Sequence, residues 1–160
     1  YYNAKEALVI TKGGYAGIDR VFDARGDAVK ITYLNAKELP SANSDGVVIA
    51  QVTYDDSHRP VELRYFNAKE KPAKKPAWGA YGERLTYDDA DRIATRTLLD
   101  FEDQPMKGTD KWAIAAYTYT EDGRIASERY FDEEQTRCLA RYRLPTTASS
   151  TSTRLHNSAR

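Results

Sequence analysis

Short segments of alternating apolar and polar residues run along most of the chain. The segments GVVIAQVTYDD and KWAIAAYTYTED are rich in Val, Ile, Thr and Tyr, which suit the pleated surface of a sheet. In the first segment Val52 and Tyr54 fall on one face. Gln51 and Thr53 fall on the other. This alternation predicts half-buried β-strands. No stretch places apolar residues at helical spacing over three turns, which disfavours the alternative of a helical-pair repeat.

The same pattern returns about every 32 residues. The octapeptides YYNAKEAL, YLNAKELP and YFNAKEKP are near copies, and LLDFEDQP and YFDEEQ keep part of them. These segments begin at Tyr1, Tyr33, Tyr65, Leu98 and Tyr130. A second segment also recurs, in which an aromatic residue precedes a predicted turn. It lies at a similar distance after the beginning of each of the first four units. The spacing predicts four and a half units over residues 1–145.

Each unit contains a predicted turn between its two strands. Asp23 can bond to turn amides, and Gly26 and Gly123 supply a positive φ with an expected glycine bulge. His58 and Asp91 stand at the equivalent positions and are interpreted as left-handed turn residues. A longer loop leads to the next unit, and its predicted end is marked by Gly14, Gly46, Gly79 and Lys111.

These elements predict an all-β fold. We expect tandem β-hairpins of about 32 residues, stacked as a solenoid-like or curled-sheet array in which each unit touches mainly its neighbours. Residues 146–160 are rich in Ser and Thr, and we expect a flexible or O-glycosylated tail there.

The segment YTEDGRIASERYFD resembles the YD repeat of bacterial Rhs-type and wall-associated proteins. It has the aromatic residue, the Gly-Arg-apolar step and a following aromatic residue. YDDSHRPVELRYFN and YDDADRIATRTLLD keep the Tyr-Asp pair and the Arg but lack the Gly. The resemblance implies a β-hairpin array in a secreted or surface protein that acts as a shell or scaffold. A fainter likeness to choline- and glucan-binding hairpin repeats implies a glycan ligand.

Charge and composition remove several classes of function from consideration. Twenty-four basic residues balance twenty-four acidic ones, so nothing in the net charge favours a nucleic acid partner. The sequence contains no run of 18 apolar residues, so it predicts no membrane span. Cys138 has no second cysteine to pair with and is interpreted as a small, semi-buried residue. The sequence contains two isolated histidines, His58 and His156, and no catalytic or cofactor motif. It therefore does not support an enzymatic function.

Two sets of residues are candidates for ligand binding. The regularly placed tyrosines predict an aromatic ladder in the core, but the same residue types could form a glycan-binding row. The candidates for such a row are Trp78, Tyr81, Trp112 and Tyr117. Paired carboxylates at the predicted hairpin tips are weak calcium candidates, and turn formation is the simpler interpretation. These carboxylates are Asp55, Asp56, Asp88 and Asp89.

The leading functional hypothesis is a non-enzymatic scaffold, stalk or filament segment at the cell surface or outside the cell. The alternative is a carbohydrate-binding repeat module that uses exposed Tyr and Trp. The chain opens on YYNAKEALVI in mid-pattern, and its fifth unit begins without a complete hairpin. We therefore expect head-to-tail self-association, or continuation in a longer repeat chain.

Overall fold

The computed structural model describes residues 8–137 of the 160-residue chain. Its eight β-strands are β1 Gly17–Phe22, β2 Ala28–Leu34, β3 Ile49–Tyr54, β4 Pro60–Phe66, β5 Gly82–Tyr87, β6 Ile93–Leu99, β7 Ile114–Tyr119 and β8 Ile125–Phe131. They form one open antiparallel sheet in chain order from β1 to β8. The all-β prediction is confirmed. None of the described residues forms a helix, so this part of the chain holds no helix that could cross a bilayer.

Strand pairing is extensive within a hairpin and brief between hairpins. In the second hairpin the ladder runs from Ile49 opposite Phe66 to Tyr54 opposite Pro60. The β2–β3 junction, in contrast, extends only from Lys30 opposite Gln51 to Thr32 opposite Ile49. The β4–β5 and β6–β7 junctions have the same short register. Junctions between hairpins therefore depend more on side-chain contacts than the hairpins themselves do.

All four hairpins contain a β-bulge, but it does not lie at the turn glycine. The register shifts between the last two residues of the first strand in each hairpin. One residue of the returning strand is left unopposed, at Val29, Val61, Ala94 and Ala126. The predicted position of the bulge was wrong, because the turn is closed by its own hydrogen bond and the bulge lies beyond it, in the returning strand. Asp23 N–H donates to the Asp27 carbonyl across a complete five-residue loop.

Turns of one kind recur throughout the sheet. An Asp or Asn begins most of them, and its side-chain oxygen accepts amides two and four residues later, as Asn35 does from Lys37 and Leu39. In most of them the fourth residue has a positive φ. These residues are Gly26, His58, Asp91 and Gly123 at the hairpin tips, Glu38, Glu70, Asp103 and Gln135 after the returning strands, and Gly14, Gly46 and Lys111 at the loop ends. The turn that begins at Lys75 is one residue longer, and its positive φ is at the fifth residue, Gly79. The left-handed conformation predicted for His58 and Asp91 is confirmed.

A buried apolar cluster lies on one face of the sheet, where a connecting loop packs over it. Val47, from a loop, forms a buried cluster with Ala50 and Tyr65, and Tyr33 and Leu63 pack against this cluster. The burial of these apolar groups stabilises the junction between the first and second hairpins and the loop that joins them. The opposite face carries mainly polar side chains.

At the end of β6, Leu98 and Leu99 are the largest side chains that are fully buried in the described residues. A Cβ placed on Gly108 would lie 2.6 Å from Leu98 Cδ1 and 2.4 Å from the Trp78 carbonyl oxygen. Glycine at this position therefore allows the connecting loop to approach the sheet closely.

Candidate functional site

The tyrosines of the hairpin tips join each hairpin to the one before it. Each hydroxyl donates a hydrogen bond to a backbone carbonyl at the start of the preceding returning strand. The pairs are Tyr54 to Ala28 at 3.2 Å, Tyr87 to Pro60 at 2.6 Å and Tyr119 to Ile93 at 2.8 Å. The three tyrosines are half-buried. No ring contact within residues 8–137 joins any two of these three tyrosines, so they do not form the stacked aromatic ladder that was predicted.

Arginine side chains, rather than other aromatic rings, cover two of these tyrosines. The Arg59 guanidinium lies 4.7 Å from the centre of the Tyr87 ring, and that of Arg92 lies 4.6 Å from Tyr119. These are cation–π contacts between one hairpin and the next. We call this alternating row of tyrosines (54, 87 and 119) and arginines (59 and 92) the Tyr–Arg ladder.

Carboxylates orient the arginines of this ladder. Arg59 Nε donates to Asp55 Oδ2 at 2.8 Å within its own turn, and Arg59 Nη1 donates to Asp91 Oδ1 of the next tip at 2.5 Å. The Arg59 guanidinium, with help from turn amides, holds the pKa of Asp55 below its ordinary value. The turn amide and side chain of Arg92 lower the pKa of Asp88 in the same way. One arginine thus contacts its own turn, the next tyrosine and the next tip.

The first junction has a similar contact in which the carboxylate lies on the preceding hairpin. Asp27 occupies the position that Arg59 has in the next hairpin, and it faces His58 where Arg59 faces Asp91. His58 Nδ1 lies 2.8 Å from Asp27 Oδ1. Sequence reasoning identified His58 only as a turn residue. The signal for its partner was the exchange of residue types one repeat apart, since Asp27 and His58 stand where the next junction has Arg59 and Asp91.

A buried carboxylate connects the second hairpin to the third. Glu83 is the only charged residue of the described chain that is buried, at 4% exposure. Tyr65 donates its hydroxyl to Glu83 Oε1 at 2.5 Å, and Arg96 Nε lies 2.9 Å from Oε2. Burial, and then the Glu83 charge, raise the pKa of Tyr65. The Trp78 ring packs between Lys75 and Arg96, at 4.0 and 4.7 Å from its centre.

The four predicted glycan-binding residues do not form one exposed row. All four are half-buried, and no ring contact within the described residues joins any two of them. The Trp112 ring packs against Tyr130, with centres 5.6 Å apart. Burial raises the pKa of Tyr117. Trp112 and Tyr117, like Trp78, are therefore engaged in packing.

Tyr81 has a different setting. The Phe101 ring meets it edge-on with centres 5.9 Å apart, and Phe101 is 62% exposed. These rings line a groove of about 320 Å³ on the polar face, together with Gln51, Thr53 and Arg64 among others. Sequence reasoning missed Phe101. Its signal was the segment DFED, the one exit turn that replaces NAKE with an aromatic residue.

Two of the four calcium candidates, Asp55 and Asp88, accept hydrogen bonds from the amides of their own turns. Asp55 Oδ1 accepts the amides of Ser57 and Arg59, and Asp88 Oδ1 binds equivalent amides in its own turn. The Asp56 side chain extends into solvent and faces Arg25 at 3.8 Å. Within residues 8–137 no group of three or more His, Cys, Asp or Glu side chains is placed to hold a metal ion.

Comparison with known proteins does not place the chain in a family. No family model matches it, and no curated protein matches it. Several sequence-based predictions lie outside the described residues: those for Tyr1, Cys138, His156 and the tail over 146–160.

Proposed function

We propose that the chain is a non-enzymatic scaffold segment built as a row of hairpin units of about 32 residues. The observation that carries this proposal is the hydroxyl-to-carbonyl bond that recurs at all three junctions, from Tyr54, Tyr87 and Tyr119. Contacts that recur between neighbours suit an array whose stability is a sum of unit and junction contributions.

The spacing of the strands supports the same proposal. The first strands of the hairpins begin at Gly17, Ile49, Gly82 and Ile114, and the junctions between hairpins share one register. The sheet twist would turn such a row into a curled or solenoid-like array. The ionic side chains of the junctions bind each other, which favours a structural role for them over a chemical one.

A place at the cell surface or outside the cell follows from the resemblance to YD repeats, and we propose it on that ground. The junction contacts give the motif a physical meaning: the Tyr binds the previous hairpin, the Asp orders the turn, and the Arg covers the next Tyr. Head-to-tail association of copies, or continuation of the row in a longer chain, is part of the same proposal.

Deleting residues 65–97 tests the repeat array. The deletion joins Arg64 to Leu98, so that Leu98 and Leu99 continue β4 where Tyr65 and Phe66 stood. We expect a folded protein with an all-β circular dichroism spectrum. Its urea m-value should fall by about a quarter, because m scales with the surface exposed on unfolding and one of four hairpins is gone.

The matched control deletes residues 82–97, which removes one hairpin but leaves two connecting loops in succession. This shorter deletion should lower stability more than the deletion of 65–97, because β4 then has no following strand in the correct register to pair with. If the deletion of 65–97 unfolds the protein and the shorter deletion does not, the array model is wrong.

The Phe101 groove favours a second candidate function, carbohydrate binding. An exposed aromatic ring beside amide, hydroxyl and guanidinium groups offers a stacking surface and hydrogen-bonding partners for a sugar. Phe101 and Tyr81 supply the rings, and Gln51, Thr53 and Arg64 supply the polar groups. This places the candidate site on the polar face, away from Trp78 and Trp112.

Replacing Phe101 with Ala tests this second function. Any glycan that the protein binds on a glycan array should be lost or weakened about fivefold or more, because stacking on one aromatic side chain contributes on the order of 1 kcal/mol or more. Stability should change little, since the ring is mostly exposed. Trp112→Ala is the control, and it should lower stability without removing the ligand. Binding that survives Phe101→Ala would exclude this groove.

A further inference from the structure

We propose that the outer edge of β8 is a docking site for a Tyr-Asp hairpin of another polypeptide, held as the second hairpin of this chain holds the third. This inference rests on the scaffold function proposed above and names the partner that the scaffold takes. Within the described part of the chain, β8 has β7 as its single neighbouring strand.

The internal junctions define what such a partner must contact. At the β4–β5 junction, residues 62–64 in the middle of the returning strand pair with the incoming strand. The Pro60 carbonyl, at the start of that strand, accepts the incoming Tyr87 hydroxyl. The adjacent Arg59 covers the Tyr87 ring and binds Asp91 of the incoming tip. Backbone, carbonyl and guanidinium therefore make three separate contacts.

β8 presents the same three groups to solvent. Ile125 occupies the position of Pro60 and is 54% exposed. Arg124 occupies the position of Arg59, and its side chain is 84% exposed, held by Asp122 at 3.0 Å. Residues 127–129 correspond to 62–64. Because an unpaired strand edge offers free amide and carbonyl groups, this edge is able to accept a further antiparallel strand.

The incoming hairpin needs a tyrosine for the Ile125 carbonyl and for the Arg124 guanidinium. It also gains from a carboxylate at the fourth turn position, where Asp91 binds Arg59. The first hairpin of this chain has neither group, because Phe22 and Gly26 stand at those positions. A second copy would therefore dock with backbone pairing alone. The partner chemistry that fits best is a hairpin that carries Tyr-Asp at its tip, and a second copy of this chain would be held less tightly.

The double variant Phe22→Tyr, Gly26→Asp tests this inference in the full-length protein. It gives the first hairpin both missing groups, so that one copy becomes the partner that β8 of another copy should accept. The fold should tolerate both changes. Phe22 is exposed, a Cβ at Gly26 meets no atom within 4 Å, and Asp91 already adopts a left-handed φ of 60° at the equivalent position.

Sedimentation equilibrium should show self-association at least about tenfold tighter for the double variant than for the wild type, because a hydrogen bond and an ion pair are added. Adding Arg124→Ala to the double variant should remove most of that gain. Circular dichroism would verify that each variant is folded, and Phe22→Tyr alone should give an intermediate effect.

Equal association of the wild type and the folded double variant would overturn the inference. Full protection of the outer β8 amides from hydrogen exchange in the monomeric wild type would overturn it too, since another part of the same chain would then cover the edge. Neither result would affect the deletion of residues 65–97. Failure of the docking site and failure of the scaffold proposal can therefore be told apart.

Discussion

Replacing Leu98 with Ala is expected to destabilise the protein by about 3 kcal/mol, which is typical of a buried leucine that leaves a cavity. Leu98 is 1% exposed, and the loop at Gly108 lies directly against it. That loop is held close by the Thr109 amide, which donates to the Trp78 carbonyl at 2.9 Å. Because the loop is fixed, it is poorly able to collapse into the space left by the missing side chain.

Urea unfolding would measure the change as a fall in the free energy of unfolding. Ile125→Ala provides the control, because it removes a similar aliphatic side chain that is already half in solvent. That substitution should cost less than about 1 kcal/mol. Equal losses at Leu98 and Ile125 would mean that the core does not lie under the loops.

The local structure followed from the sequence because turn chemistry is local. A positive φ at His58, Asp91 and Lys111 could be inferred from the glycines one repeat away, since a left-handed position demands the same backbone whatever residue stands there. Strand alternation predicted the all-β class in the same way. The order of strands in the sheet was not deduced explicitly, although short connections favour neighbouring antiparallel strands.

The contacts between hairpins were largely missed, because they join residues one repeat apart whose identities vary. Nothing in the turn around Arg59 indicates that its side chain reaches Tyr87 and Asp91. Glu83 shows the same limit. A glutamate within a strand ordinarily predicts an exposed position, and only the fold shows that Tyr65 and Arg96 compensate its burial. Phe101 lies in LLDFEDQP, a segment that was interpreted only as a partial copy of the repeated octapeptide.

The buried Glu83 leads to the second large prediction. Arg96→Leu should destabilise the protein by about 3 kcal/mol, because it removes the positive charge beside the buried Glu83 carboxylate. Of the two contacts, only the hydrogen bond from the Tyr65 hydroxyl is then left. For a chain of this size, that loss corresponds to a fall in Tm of roughly 10 °C. Arg84→Leu is the matched control. Arg84 pairs with Glu62 at 2.9 Å on the solvent-exposed polar face, and exposed pairs contribute about 1 kcal/mol or less.

The double variant Glu83→Ala, Arg96→Leu should recover most of the stability that Arg96→Leu alone loses. It installs the residues that the second hairpin carries at the same positions, Ala50 and Leu63. The Tyr65 hydroxyl then lacks its acceptor, which leaves a deficit of about 1 kcal/mol. Thermal unfolding of the two single variants and the double variant measures the coupling. Additive losses would show that Glu83 and Arg96 act independently, and Arg96 would then not compensate the burial of the Glu83 carboxylate.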